Sequence, residues 1–308
     1  MNTLLVIDGN AIMHRAYHAL PPFKTKKGVP TNAVYGFFTM LYKAIQDFHP
    51  EYIAVCFDTP AKTFRQKLHK EYQAQRPEIG DDFKEQIPII KTLLEKTPIY
   101  QEEQDGLEAD DVIGTIVTHA KKEGLKILIL TGDKDIMQLV DKNTYVVSPQ
   151  LGISNVKIYG EDEVQEKLHV PPHQIPDLKA LIGDPSDNYK GAKGIGPKTA
   201  SKYLLQYKTV EDLMAHLDDL PDEKVKKILL AHKKEIKLAK HLAVIVTDAQ
   251  IKFTLDKAKF VGFSEELKSA FIDLEMRSLL QRFFNHGAPQ AKQPKKKKEE
   301  KDPQIGLF

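Results

Sequence analysis

Three short apolar runs mark the first half of the chain: LLVI at 4–7, YIAVCF at 52–57 and KILIL at 126–130. Each run is continuous, as expected of a strand covered on both faces; a half-exposed strand would alternate apolar with polar residues. Between the runs the spacing changes. NAVYGFFTMLYKAIQDF (32–48) and ADDVIGTIVTHAKKEG (109–124) repeat apolar residues at helical spacing, and Gly124 stands where a C-cap belongs. Strand and helix in alternation predict an α/β fold with a mainly parallel central sheet flanked by helices. Further on, DEKVKKILLAHKKEIKLAKHLAV (222–244) reads as an amphipathic, lysine-rich helix.

Every one of the three runs is followed by aspartate: Asp8 in IDGN, Asp58 in FDTP, and Asp133 with Asp135 in TGDKD. Parallel strands bring these ends to one edge, where ligands bind in open α/β sheets. A lone Asp after a strand is usually a turn former, since its side chain bonds nearby backbone. Acids at a helix start, such as Glu108, Asp110 and Asp111 in GLEADDVIG, can be simple capping. With Asp184 and Asp187 of IGDPSDN, however, nine carboxylates become candidates for one basin. Their repulsion needs an offset, and hard divalent cations such as Mg²⁺ or Mn²⁺ prefer oxygen ligands. Nine acids suit two cations, and a pair about 4 Å apart suits phosphodiester hydrolysis.

Composition adds limits. The 308 residues can bury a large domain plus a smaller one, and 41% hydrophobic content is ordinary for a globular chain. A formal net charge of +2 says little until the charges are placed. Cys56 is the single cysteine, so no intrachain disulfide forms and a reducing compartment is expected. No apolar run approaches membrane-span length, and MNTLLVIDGN lacks the basic start and cleavage site of a signal peptide, so a cytoplasmic protein is expected. His and Cys are sparse near the acids, which argues against zinc. His14 and His18 lie four apart without a further partner, which favours packing or phosphate contact over a metal role.

After the acids comes SDNYKGAKGIGPKTASKYL (186–204). Gly191, Gly194 and Gly196 let the backbone approach a ligand, and Pro197 is suited to open a helix. A nucleoside-triphosphate loop is excluded because Pro197 separates Gly196 from Lys198 and Thr199. The dinucleotide pattern fails because Thr199 replaces its third glycine. What remains is a glycine turn between helices, ringed by Lys190, Lys193, Lys198 and Lys202, which suits gripping a nucleic-acid backbone without reading bases. Residues 61–86 mix Lys62, Arg65, Lys67, Lys70 and Arg76 with Phe64 and Tyr72, a combination that suits a single strand. A solvated turn and a surface hairpin without ligand are the plain alternatives for these two stretches.

IDGNAIMHRAYHA, FDTPAKTFR, GLEADDVIGT, TGDKDIMQLV and ALIGDPSDNYKGAKGIGPKTA resemble, in order and spacing, the 5′-nuclease domain of bacterial DNA polymerase I, within the flap endonuclease superfamily. The resemblance runs from about residue 3 to 284. It implies a PIN-like nuclease core at 1–170, with a helical arch at 61–86 that passes a 5′ single strand. A helical subdomain at 171–284 would hold the downstream duplex through its glycine turn at 183–205, with K⁺ bound there. It implies one Mg²⁺ or Mn²⁺ on Asp8, Asp58, Glu108, Asp110 and Asp111, and a second on Asp133, Asp135, Asp184 and Asp187. Arg65 and Arg76 would stand near the scissile phosphate, and Tyr72 and Gln73 would touch DNA. The implied reaction is hydrolysis of 5′ flaps and 5′ ends at single-strand/duplex junctions in replication and repair, leaving a 5′-phosphate and a 3′-hydroxyl.

One position departs from the family's Tyr-Lys-x-x-Arg pattern: here Gln73 follows Tyr72. Gln73 cannot supply the positive charge expected to stabilise the transition state. Lys70 shares its helical face and is the expected substitute, so an active but slower enzyme is predicted. The polymerase modules that usually follow are replaced by a polar, Pro-containing stretch at 285–308, expected to be disordered, which ends in QIGLF. Gln304, Leu307 and Phe308 resemble the Gln-x-x-Leu-Phe peptide that docks on the bacterial sliding clamp, and the sequence leaves open whether a separate polymerase acts alongside. Two other readings stand beside this one. A clamp-tethered scaffold that binds DNA without cutting would gain nothing from nine repelling acids, and an aspartyl phosphatase would carry a second Asp where Asn10 stands.

Overall fold

The computed structural model describes residues 2–150, 152 and 155–284. Six strands form the main sheet: β1 (Thr3–Asp8), β2 (Tyr52–Phe57), β3 (Tyr100–Glu103), β4 (Lys126–Leu130), β5 (Thr144–Pro149) and β6 (Val156–Tyr159). Their order is β3-β2-β1-β4-β5-β6, parallel throughout except for β6, which runs antiparallel to β5. The apolar runs are β1, β2 and β4, adjacent at the centre of the sheet. Leu4, Val6, Cys56, Ile127 and Ile129 pack on one face with Val112, Ile113 and Ile116 of the helix Ala109–Lys122. Leu5, Ile7, Ile53, Val55 and Leu128 pack on the other with Phe37, Phe38 and Leu41 of the helix Asn32–Phe48. Both alternate sets are buried, so no polar residue interrupts the runs.

The outer strands leave fainter traces. β3 is YQEE, an edge strand with hardly any apolar content, and β6 is VKIY, with Lys157 and Ile158 exposed. Beyond the sheet, the helices Ile175–Ile182, Pro197–Tyr207, Val210–Ala215, Glu223–Ala231 and Lys233–Ala243 share the Ala109–Lys122 side of the core through Leu178, Leu181, Leu204, Leu213, Leu229 and Ile236. The amphipathic pattern at 222–244 is thus two helices and not one, because His232 leaves helical geometry at φ −110° and ψ 21°. Helices Glu265–Asp273 and Arg277–Phe284 return to the opposite face, where Phe271 meets Phe38 edge to face at 5.2 Å. Among the described residues no helix is long and apolar enough to cross a membrane. The clamp-type peptide Gln304–Phe308 lies outside the described residues.

Candidate active site

The chain runs outward from β1 to β2 and β3 and then crosses back to β4, so the sheet switches direction beside β1. A crevice opens there at the C-terminal strand ends. Asp8 closes β1 and caps the helix Gly9–Ala19: one carboxylate oxygen accepts from the Ala11 N–H at 2.9 Å, the other from the Thr131 hydroxyl at 2.7 Å. Asp58 follows β2 and accepts from the Ala109 N–H at 2.7 Å, while its own N–H donates to Asn10 at 3.0 Å. Glu108 and Asp110 stand at the start of the helix Ala109–Lys122. Asp133 follows β4, fixed by its N–H donating to the Thr131 hydroxyl at 2.9 Å and its carboxylate accepting from the Asp135 N–H at 2.8 Å. Asp8, Asp58, Glu108, Asp110 and Asp133 line one cavity of about 670 Å³ together with Gln73 and Arg76.

Burial dominates the electrostatics of this cavity. It pushes Asp8 up to about 7, against the pull of Ala11 and Thr131, and it pushes Glu108 up to about 7 against the pull of Arg65. Burial, with Asp133 and Asp8 close by, raises Asp110 well above the carboxylate range. Among the described residues no Lys or Arg pairs with Asp8, Asp58, Asp110 or Asp133. An all-oxygen donor set with no protein cation to neutralise it is what a hard divalent cation would fit.

A second group lies beside the first. Asp135, Asp184 and Asp187 each offer an oxygen within 4.8 Å of the others. Asp133 was expected in this group; it lines the cavity with the first set instead, joined to the second through the Asp135 N–H. Lys179, on the helix Ile175–Ile182, bonds to both Asp135 and Asp184. Burial and Asp133 push Asp135 up to about 6 despite Lys179. For Asp184 the balance reverses: burial would raise it, but Lys179 and Ser186 together hold it below its ordinary value. Asp187 accepts from Arg76 at 2.8 Å and from the Gln73 amide at 3.1 Å.

Arg65, Asp111 and Tyr72 are placed elsewhere. Arg65 is only 2% exposed, and all five of its N–H donors are engaged: with Leu242 O at 2.8 Å, Val244 O at 2.8 Å, Glu108 at 3.2 Å, and Asp111 at 2.7 and 2.8 Å. It therefore does not stand at a scissile phosphate; it ties the helix Phe64–Leu68 to the helix Ala109–Lys122 and to the end of Lys233–Ala243. Asp111 is fully buried and is not a cavity ligand, because it takes Arg65 on both oxygens and accepts the N–H groups of Val246 at 2.9 Å and Glu108 at 3.1 Å. Of the three crowded acids, Asp111 is the one withdrawn into the core, onto Arg65. Tyr72, at 4% exposure, is closed to base stacking: its hydroxyl lies 3.2 Å from Glu108 and 3.1 Å from Asp187, bridging the two acid groups.

Gln73 sits in the left-handed region (φ 57°), with its N–H on the Asp187 carbonyl at 3.0 Å. Lys70 is exposed and does not line the cavity, so the charge that Gln73 lacks is present near the acids as Arg76 and Lys179. Lys179 carried no motif signal; only its place five residues before Asp184 hints at it. His14 lines the cavity and packs on Phe83 at 4.6 Å between centroids.

The glycine stretch forms a two-stranded pair, Gly183–Asp184 with Tyr189–Lys190, before its turn. A Cβ on Gly191 would stand 2.4 Å from both Gly183 N and Leu181 O, so only glycine fits. Gly194 takes φ 105° and Gly196 caps the helix Pro197–Tyr207. Lys190, Lys193, Lys198 and Lys202 are exposed around it, with Thr199 half-buried in the first turn of that helix. The strand pair that carries Asp184 leads directly into the turn, so Asp184 and Asp187 of the second acid group share one segment with the lysine-ringed surface.

Residues 3–169 match the family model for the 5′-3′ exonuclease N-terminal resolvase-like domain, and 170–266 match the 5′-3′ exonuclease C-terminal SAM fold. The chain is 39% identical over 281 residues to the 5′-3′ exonuclease of Aquifex aeolicus, covering 91% of this chain and 94% of that one. It is 39% identical over 286 residues to DNA polymerase I of Bacillus subtilis, where it spans 32% of the longer protein. Among solved structures, T5 5′-exonuclease with bound zinc superposes with a TM-score of 0.67 at 20% identity, over 92% of this chain and 97% of that one. The T5 D15 flap endonuclease in a pseudo-enzyme-product complex with DNA and metal ions gives 0.65 at 19% identity, over 92% and 96%.

Proposed function

The chain belongs to the 5′-3′ exonuclease family, and from that premise we propose that it is a structure-specific 5′ nuclease acting on 5′ flaps and 5′ ends at single-strand/duplex junctions in replication and repair. The observation that carries this reading is the convergence of five carboxylates, four of them without a cationic partner among the described residues, from four separate stretches of chain on one cavity at the sheet's switch point. Asp8, Asp58, Glu108, Asp110 and Asp133 would hold one Mg²⁺ or Mn²⁺, and Asp135, Asp184 and Asp187 a second. When bound, such a pair supplies an activated water and steadies the leaving oxygen of a phosphodiester.

The protein's own groups do the rest. Arg76 reaches the cavity from the arch and would orient the phosphate beside the acids. Lys190, Lys193, Lys198 and Lys202, with the backbone of Gly191, Gly194 and Gly196 and with Thr199, would grip the duplex and set its distance from the cavity, with K⁺ as the cation suited to that turn. The T5 D15 complex contains DNA and metal ions, and the same classes of partner are proposed here.

The test is a set of end-labelled substrates in Mg²⁺: a 5′ flap, the same strand alone and the intact duplex. Cleavage confined to the flap junction, with a nick that ligase seals after flap removal, supports the reading; equal cleavage of all three would refute it. The tail QIGLF is proposed as a clamp ligand, tethering the enzyme at raised local concentration. Deleting Gln304–Phe308 should abolish capture by the sliding clamp and spare flap cleavage; undiminished capture would sink that assignment.

A further inference from the structure

The two acid groups are neutralised differently. The cavity carboxylates of Asp8, Asp58, Asp110 and Asp133 have no cationic partner among the described residues, whereas Asp135 and Asp184 share Lys179. Lys179 is held for this purpose. It stands one turn from the end of Ile175–Ile182, and Gly183 at φ 77° reverses the chain so that Asp184, five residues on, faces back to it. Its side chain is 16% exposed, as is that of Asp135. Asp184 is locked from the other side by the Ser186 N–H at 2.8 Å and hydroxyl at 2.5 Å.

We propose that Lys179 is a built-in counter-cation, a positioning residue that holds Asp135 and Asp184 together in the metal-free protein and exchanges with a divalent cation at that group. The proposal rests on the two-cation reading above. An ammonium in hydrogen-bond contact with two carboxylates occupies the coordination directions that a divalent cation would need, and its positive charge opposes a second cation nearby. Lys179 must therefore give up at least one carboxylate as the second group loads. A flexible stem on a rigid helix makes this exchange possible without moving the backbone. A lysine that merely props the two acids in ligating position would have the opposite consequence, since its removal would loosen them and weaken the cation.

The experiment is Mn²⁺ titration of the full-length metal-free protein by calorimetry and by electron paramagnetic resonance, comparing wild type with Lys179→Met and Lys179→Arg. The exchange predicts that Lys179→Met tightens the weaker Mn²⁺ site about tenfold or more and leaves the stronger one unchanged, with Lys179→Arg staying near wild type. It also predicts that Lys179→Met melts lower than wild type without metal and regains the difference in Mn²⁺. An unchanged or weakened second site would overturn the proposal and leave the nuclease reading intact; a wild type that binds no Mn²⁺ would overturn both. Should Lys179→Met fail to fold, side-chain ¹⁵N spectra of wild type decide: the Lys179 ammonium signal must shift as Mg²⁺ fills the second site, and a static signal refutes the exchange.

Discussion

Arg65 shows how a residue type can point to the wrong role. A basic side chain beside an acidic cavity suits phosphate contact, yet its five donors all end on protein acceptors. Removing one partner of a buried ion pair strands the other, at about 3–5 kcal/mol. Arg65→Ala should therefore lower the free energy of unfolding obtained from urea titration by an amount of that order, with Asp111 left buried and without its cation; a variant as stable as wild type would contradict this placement. The same residues mark what the sequence conceals. GLEADDVIG announces three acids, but the division between Glu108 and Asp110 in the cavity and Asp111 in the core depends on Arg65, 46 positions earlier in the chain, and on the backbone at Val246. No local spacing carries that information. Lys179 was missed for a related reason: its partners meet it only after Gly183 turns the chain.

At the scale of elements, legibility followed burial. β1, β2 and β4 were readable because both faces are covered, whereas β3 and β6 lie at edges and carry Glu, Gln and Lys without penalty. The glycine turn was readable as a turn, because glycines and Pro197 have steric reasons that act locally. Its strand pair was not, since two residues a side leave no periodicity. Gly191 makes this element testable. Its added methyl would meet backbone at 2.4 Å, so Gly191→Ala must push Tyr189–Lys190 away from Gly183–Asp184. Duplex affinity should drop at least several-fold, with melting lowered by a few degrees; a variant binding duplex like wild type would show that the turn is not the gripping element.

For the molecule as a whole, the acidic cavity couples folding to protons and, on the proposed function, to cations. Asp8 and Glu108 stand at about 7 in the folded chain against ordinary values near 4. Between about pH 4 and pH 7 the folded protein therefore holds more protons than the unfolded one, and the stability contributed by these groups falls as pH rises through that window. A bound divalent cation takes the place of the protons, so its stabilising effect must grow in the same direction. The gain in melting temperature on adding Mg²⁺ should be small at pH 5 and larger by several degrees at pH 8. An increment independent of pH would contradict the assigned cation site.

The central claim is that carboxylates from distant parts of the chain make one cation-dependent hydrolytic centre, and cleavage of a labelled 5′-flap DNA tests it most directly. Wild type in Mg²⁺ should cut at the junction and stop on chelation, while Asp133→Ala should bind the same flap with similar affinity and cut it about a hundred- to a thousandfold more slowly, on the order expected for loss of a group at the reacting centre. Undiminished cutting by Asp133→Ala, or by wild type in chelator, would contradict the account.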